Sequence, residues 1–321
     1  MKAAVIDGYG GSDRLVVRDV PDPGPPGPGQ VLVRVRAASV NPMDWKIRSG
    51  SMRLLMPATF PLILGYDAAG EVVETGPEVT RFQPGDLVFG GVDVKRHGGA
   101  YAELALMREA AITGQPGSLS FEEAASLPVA GLTALQALRD KGELVAGEKV
   151  LVNGASGGVG HFAVQIANAL GAHVTAVASG RNQGFLRELG AGETIDYEAE
   201  DFAGRDEEWD VVFDAVANRQ YADCEGVLAR EGGIYVSTLP GPKLFAAIAF
   251  TTLGALFGQK RRARTIVVHH RSEDLDVLAR LADQGKLRPH LAEVYPLERI
   301  AAAHDHSESG HVRGKIGVRI P

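Results

Sequence analysis

Between Lys149 and Gly171 the chain reads KVLVNGASGGVGHFAVQIANALG, and no other stretch restricts its folding options as much. Val150, Leu151 and Val152 form a short apolar strand, a glycine cluster follows, and Phe162 to Leu170 repeats apolar residues at helical spacing. Glycines at a strand-to-helix handover let the backbone turn tightly and approach a ligand. The helix beyond them aims free N–H groups and the positive end of its dipole at an anion. A purely structural turn uses the same glycines, but here a second strand, His173–Ala178, falls where a nucleotide-binding βαβ unit requires it. Gly157, Gly158, Val159 and Gly160, with Ala155 and Ser156 before them, are therefore expected to cradle a dinucleotide pyrophosphate.

Charge distinguishes between the possible dinucleotides. A site for NAD usually carries an Asp or Glu about 20 residues past the glycines, where it accepts hydrogen bonds from the adenosine ribose. From Lys149 to Arg187 there is no acidic residue, and the second strand runs into Ser179-Gly180-Arg181-Asn182. A hydroxyl and a guanidinium suit a 2′-phosphate, so NADPH is expected, with Ser179 and Arg181 as its contacts. The competing reading of Arg181 is a solvated residue opening the next helix.

At 321 residues the chain is longer than one core usually supports, so more than one domain is expected. A formal net charge of −7 argues against a general nucleic-acid binder. The single cysteine, Cys224, has no partner for an internal disulfide, and Asp7 and Gly8 interrupt the first ten residues before an apolar signal segment develops. The cytoplasm is the expected compartment. The longest apolar stretch, Leu244 to Gly258, is shorter than the ~20 residues of a spanning helix, so stable membrane insertion is not expected. A substrate-covering or subunit-contact role is favoured for it over an interfacial membrane contact.

Up to about Ala125 the pattern is short strands and turns, with Val31, Val33 and Val35 alternating with Leu32, Arg34 and Arg36. Ser120 and Glu123 form a capping box that starts a helix near Phe121. Strand and helix then alternate through Glu193–Asp196, Asp210–Asp214, Gly233–Ser237 and a last strand at Thr265–Val268. That alternation predicts an α/β chain with a doubly wound parallel sheet. A helix Asp274–Gln284 and a final strand Lys315–Ile320 follow.

Further runs extend the pattern: Asn41-Pro-Met-Asp-Trp-Lys-Ile-Arg-Ser-Gly50, Gly65-Tyr-Asp-Ala-Ala-Gly70, Pro84-Gly-Asp-Leu-Val-Phe89, Gly98-Gly-Ala-Tyr-Ala-Glu103, Leu189-Gly-Ala191 with Ile195-Asp-Tyr197, and Gly314-Lys315. With the glycine motif, they make the chain resemble the medium-chain dehydrogenase/reductase superfamily, and within it the zinc-free quinone oxidoreductase branch. The resemblance implies a Rossmann domain inserted into a GroES-like β-barrel catalytic domain. Residues 1–125 and 269–321 are then the catalytic domain and 126–268 the NADP(H)-binding domain, with the substrate pocket between them. It also implies a homodimer, joined by sheet continuation at the last Rossmann strand.

Relatives that use zinc hold it with Cys, His and Cys, and the matching positions here resemble Asn41, Tyr66 and Ala130. An amide, a phenol and a methyl do not assemble a three-ligand zinc site. His304 and His306 sit on a helical segment and diverge by about 200°, so solvated or capping roles are expected rather than a metal. Without zinc, reduction of a simple ketone leaves its alkoxide unstabilised, whereas a quinone or α,β-unsaturated carbonyl spreads the incoming charge. The expected activity is NADPH-dependent reduction of such acceptors. Two alternatives stand beside it: an enoyl-thioester reductase, and a non-catalytic NADPH-binding sensor or interaction protein.

The resemblance places Asn41 over the nicotinamide ribose, with a substrate-donor role open to it; a loop cap is the competing reading. Tyr66 is a candidate donor to the substrate oxygen, or a packing residue. Thr133 matches a position at the nicotinamide end, Tyr197 one near the adenosine phosphate, and Lys315 one that closes over the cofactor. A plain helix residue, a packing tyrosine and a surface lysine are the respective alternatives. The segments Ser51–Pro57, Val92–His97 and Pro240–Phe257 are expected to line the acceptor pocket.

Overall fold

The computed structural model describes residues 1–94 and 99–321. Residues 95–97 of the expected pocket loop, and Gly98 of the quoted run that it opens, lie outside these. The chain divides into two compact units, one of residues Met1–Leu132 with His269–Pro321, the other of Thr133–Val268.

In the first unit, strand β3 (Gln30–Val40) buries Val31, Val33 and Val35 completely on one face, as its alternation requires. It pairs antiparallel with β5 (Asp67–Thr75) and with β7 (Leu104–Gly114), and β6 (Leu87–Val92) joins those two, so the four strands close on themselves. Closure removes the exposed edges that would otherwise invite aggregation. The other half of β3 pairs with β15 (Lys315–Arg319), Ile316 opposite Val40, and β14 (Leu291–Pro296) runs parallel to β15. Both ends of the chain thus build one sheet. A separate three-stranded sheet joins β1 (Lys2–Ile6), β2 (Val16–Asp19) and β4 (Leu62–Ile63).

Helix α1 (Pro42–Ser49) starts directly after β3 because Pro42 presets the first helical residue. Helix α2 (Phe121–Ala125) begins where the Ser120–Glu123 box predicts, with the Glu123 N–H donating to Ser120 Oγ. Pro128–Gln136 is α3.

The second unit holds six parallel strands: β8 (Lys149–Asn153), β9 (His173–Ala178), β10 (Glu193–Asp196), β11 (Val211–Asp214), β12 (Ile234–Ser237) and β13 (Arg262–Thr265). Their order is β10-β9-β8-β11-β12-β13, a sheet that reverses direction of winding at β8. Helices α4 (Gly160–Ala169), α5 (Gln183–Glu188) and α6 (Tyr221–Cys224) connect them. Phe162, Phe202, Trp209, Phe213 and Tyr235 are fully or almost fully buried in this unit.

The last strand differs from the sequence expectation of Thr265–Val268. Ile234 through Ser237 pair with Arg262 through Thr265, so the strand lies three residues earlier. Arg262 and Arg264 obscure its apolar signal, but on an edge strand their heads reach Glu143. The apolar run near Leu244 forms α7 (Pro242–Gly254), with Phe245, Phe250 and Leu253 each more than half exposed. No described helix is long and apolar enough to cross a membrane.

In the first unit α8 (Ser272–Asp283) and α9 (Ile300–Glu308) complete the chain. On α9, His304 is not solvated but completely buried. Arg48 meets its Nδ1 at 3.1 Å and the Tyr101 hydroxyl lies 3.3 Å from its Nε2. Desolvation, with Arg48 adding to it, holds His304 down at about 3, so it is neutral.

Candidate active site

Where β3 ends and α1 begins, Asn41 is the N-cap, and Asp44 reaches back to accept its backbone N–H at 2.8 Å. That leaves the Asn41 side chain for other partners. Its Oδ1 accepts from Lys315 Nζ at 2.6 Å and its Nδ2 donates to Asp67 Oδ2 at 2.8 Å. Both neighbours are buried: Lys315 is 3 % exposed and Asp67 0 %. Ser39 Oγ donates to the same Asp67 oxygen at 2.7 Å, and the Val129 N–H donates to the other at 2.9 Å. A carboxylate removed from water needs such donors, since an unpaired buried charge is costly. Lys315 Nζ stands 3.7 Å from Asp67, and burial pulls the ammonium below its usual range while Asp67 and Asp44 pull it back up. The surface-lysine reading of Lys315 is thereby excluded.

Asp44 is wholly buried and accepts a second backbone N–H from Gly65 at 3.0 Å. Burial raises it to about 7, with the Asp67 charge adding to the effect and the two N–H groups opposing it.

Tyr66 precedes Asp67 and lines a cavity of about 60 Å³ together with Ile47, Met56, Pro57, Leu62 and Val94. Its hydroxyl is buried and has no hydrogen-bond partner among the described residues. Desolvation first, then the Asp44 and Asp93 carboxylates, push it well above the ordinary tyrosine range, so it stays a protonated donor. Ala130, the third position matched to the metal set of zinc relatives, is buried. Among the described residues no group of three or more His, Cys, Asp or Glu is placed to hold a metal ion.

The glycine turn expected to hold the nucleotide lies in the second unit. Gly154 has φ of +75°, and a Cβ on it would stand 1.9 Å from Val216. At Gly160, the first residue of α4, a Cβ would meet the Gly154 carbonyl oxygen at 2.2 Å. Only glycine satisfies both positions, and the resulting cradle at the N-terminus of a ten-residue helix fits a pyrophosphate. Asn182 Nδ2 ties Ser156 Oγ at 3.2 Å to Ser179 Oγ at 3.0 Å, which brings the glycine turn and the end of β9 together. Arg181 is exposed beside them, Thr133 is buried on α3, and Tyr197 is 57 % exposed just past β10.

Four further polar residues stand out in the structure, three in the first unit and Asp196 in the second. Asp44 had a signal, the Asn-x-x-Asp spacing of a capping box, and Asp67 lay inside a quoted run without a role. Asp196 is 15 residues beyond Arg181 in the chain, yet its Oδ2 lies 2.6 Å from where a Gly180 Cβ would be. The acid-free stretch in sequence is thus not acid-free in space. His270 leaves a buried Nδ1 without a described partner, and no local pattern marks it.

Residues 27–133 match the family model of the alcohol dehydrogenase GroES-like domain, and residues 189–318 that of the zinc-binding dehydrogenase. The chain is 35 % identical to the chloroplastic quinone-oxidoreductase QR1 of Triphysaria versicolor, over 99 % of this chain and 98 % of that one. It is 34 % identical to the mitochondrial NAD(P)H oxidoreductase RTN4IP1 of Homo sapiens, over 100 % and 89 % respectively. The solved quinone oxidoreductase from Coxiella burnetii superposes with a TM-score of 0.85 at 36 % identity, covering 100 % of this chain and 99 % of that one. The closed four-strand ring extended by β15 and β14, the six-stranded parallel sheet and these likenesses agree: the chain is an oxidoreductase of the medium-chain dehydrogenase/reductase superfamily, in its quinone oxidoreductase branch, with a site for a pyridine nucleotide.

Proposed function

We propose that this chain reduces quinones or α,β-unsaturated carbonyls with NADPH and without a metal ion. The observation that carries the reading is the Tyr66 hydroxyl: buried, held protonated and without a partner among the described residues, in a position that zinc relatives give to a histidine ligand. A neutral phenol cannot serve as a zinc ligand in the manner of imidazole, but it donates a hydrogen bond to a carbonyl oxygen. Asn41 adds a second donor, since its amide has two N–H bonds and Asp67 takes one. Together they orient a carbonyl and stabilise the charge that reaches its oxygen. In a conjugated acceptor that charge is delocalised, and water can supply the proton.

NADPH, when bound, would supply the hydride. Gly157, Gly158, Val159 and Gly160 hold its pyrophosphate, with Ala155 and Ser156 beside them, and Ser179 and Arg181 take the 2′-phosphate. Thr133, Asn41 and Tyr197 are carried over by family likeness as further cofactor positions. The outer edge of β13, last in its sheet, supports a homodimer formed by sheet continuation. The lone buried Cys224 is compatible with a reducing compartment such as the cytoplasm.

A panel of naphthoquinones, short enones and enoyl-CoA esters of increasing length tests the proposal with purified protein and NADPH. Acceptor-dependent oxidation by naphthoquinones or short enones supports it. Activity confined to long enoyl-CoA esters would make the chain an enoyl-thioester reductase, and NADPH binding without any turnover would overturn the enzyme reading altogether.

A further inference from the structure

We propose that Lys315 and Asp67 form a clamp that fixes which way the Asn41 amide faces, so that Lys315 acts as a positioning residue rather than as a cofactor ligand. The proposal rests on the donor role given to Asn41 above.

An asparagine amide can turn over about its last bond, exchanging oxygen and nitrogen at little cost in water. Here both ends are held by charged groups. The ammonium of Lys315 donates to Oδ1 at 2.6 Å, and the Asp67 carboxylate accepts a hydrogen bond from Nδ2 at 2.8 Å. A flipped amide would set its oxygen against a carboxylate and its N–H against an ammonium, losing two charge-assisted hydrogen bonds at once.

The clamp itself is pinned. Asp67 accepts from Ser39 and from the Val129 N–H, and Lys315 also donates to the Val40 carbonyl oxygen at 3.3 Å. Because β15 pairs with β3, Ile316 opposite Val40, Lys315 emerges beside Asn41 without any loop to blur its placement. Full burial of the lysine strengthens each of these bonds, since no water competes. One N–H of Asn41 is then left pointing in a single fixed direction, as a preorganised donor should.

Removing one partner of a buried ion pair also destabilises a fold, so the test must separate positioning from stability. Four proteins are compared: the natural chain, Lys315→Met, Asp67→Asn, and the double variant. The measurements are Tm, the NADPH dissociation constant by fluorescence titration, and kcat and KM for 1,4-naphthoquinone at saturating NADPH. The single variants leave one buried charge unpaired and lower Tm, whereas the double variant regains most of that loss. Under the proposal the double variant remains about tenfold or more below the natural chain in kcat, with NADPH affinity within about twofold, because Oδ1 has lost its donor.

Recovery of kcat together with Tm in the double variant would overturn the clamp and leave only charge balance. Weaker NADPH binding with unchanged kcat would overturn it too, and make Lys315 a cofactor ligand. Should Asp67→Asn fail to fold, the Lys315→Met and double variants decide the same question. Inactivity of the natural chain against every acceptor would remove the reading on which the clamp rests, an outcome distinct from an active enzyme indifferent to Lys315.

Discussion

Tyr66 and the pair Asp44 and His304 have properties that single substitutions expose. Replacing Tyr66 with Phe removes a buried hydroxyl that has no partner among the described residues, so Tm should hold or rise while kcat/KM for naphthoquinone falls about tenfold or more. A loss of stability with unchanged kinetics would make Tyr66 a packing residue. Asp44 and His304 predict opposite pH slopes. His304 is lowered from 6.5 to about 3 in the fold, so the unfolded chain binds its proton first and stability is lost as pH falls below 6.5. Asp44 is raised from 3.8 to about 7, so the unfolded chain ionises first and stability is lost as pH rises between those values. In the shared window the two oppose one another, each by about 1.4 kcal/mol per pH unit. Relative to the natural chain, urea titrations should therefore show His304→Gln losing stability from pH 4.5 to 6.5 and Asp44→Asn losing it in the reverse direction.

At the level of elements, the strand-turn-helix at Lys149–Ala169 is the most sensitive to change. Gly160→Ala sets a Cβ against the Gly154 carbonyl and should cost about 1–3 kcal/mol in a denaturant titration, with NADPH affinity reduced as the cradle opens. This element was legible in sequence because its restraints are local: glycines at fixed offsets, an apolar strand and a helical period. The Ser120 box and β9 were legible for the same reason. β13 was displaced by three residues because its arginines are tolerated only at an edge, and edge status is a property of the whole sheet. His304 is buried rather than solvated, and no local pattern shows it, because its partners, Arg48 and Tyr101, lie more than 200 residues away in the chain. Family likeness pointed to Asn41 and Lys315, but Ser39 and Asn41 meet Asp67 only through the pairing of β3 with β5, and Lys315 joins them only when β15 pairs with β3.

For the whole molecule, charge near the glycine turn is expected to set the choice between NADPH and NADH. Arg181 supplies a cation near Ser179, while Asp196 brings a carboxylate against Gly180. Arg181→Ala should weaken NADPH by about 10- to 100-fold and leave NADH nearly unchanged, as loss of a hydrogen bond to a charged group does. Asp196→Asn should act in the other direction and sharpen the preference for NADPH. Titration of both cofactors against both variants decides this; equal loss of NADPH and NADH in Arg181→Ala would place the guanidinium elsewhere. The central claim, hydride transfer from NADPH to a conjugated carbonyl without a metal, is tested most directly by the loss of NADPH absorbance on mixing EDTA-dialysed protein with NADPH and 1,4-naphthoquinone. Acceptor-dependent consumption that chelation leaves unchanged is expected, and consumption that vanishes with EDTA and returns with zinc would contradict metal-free transfer.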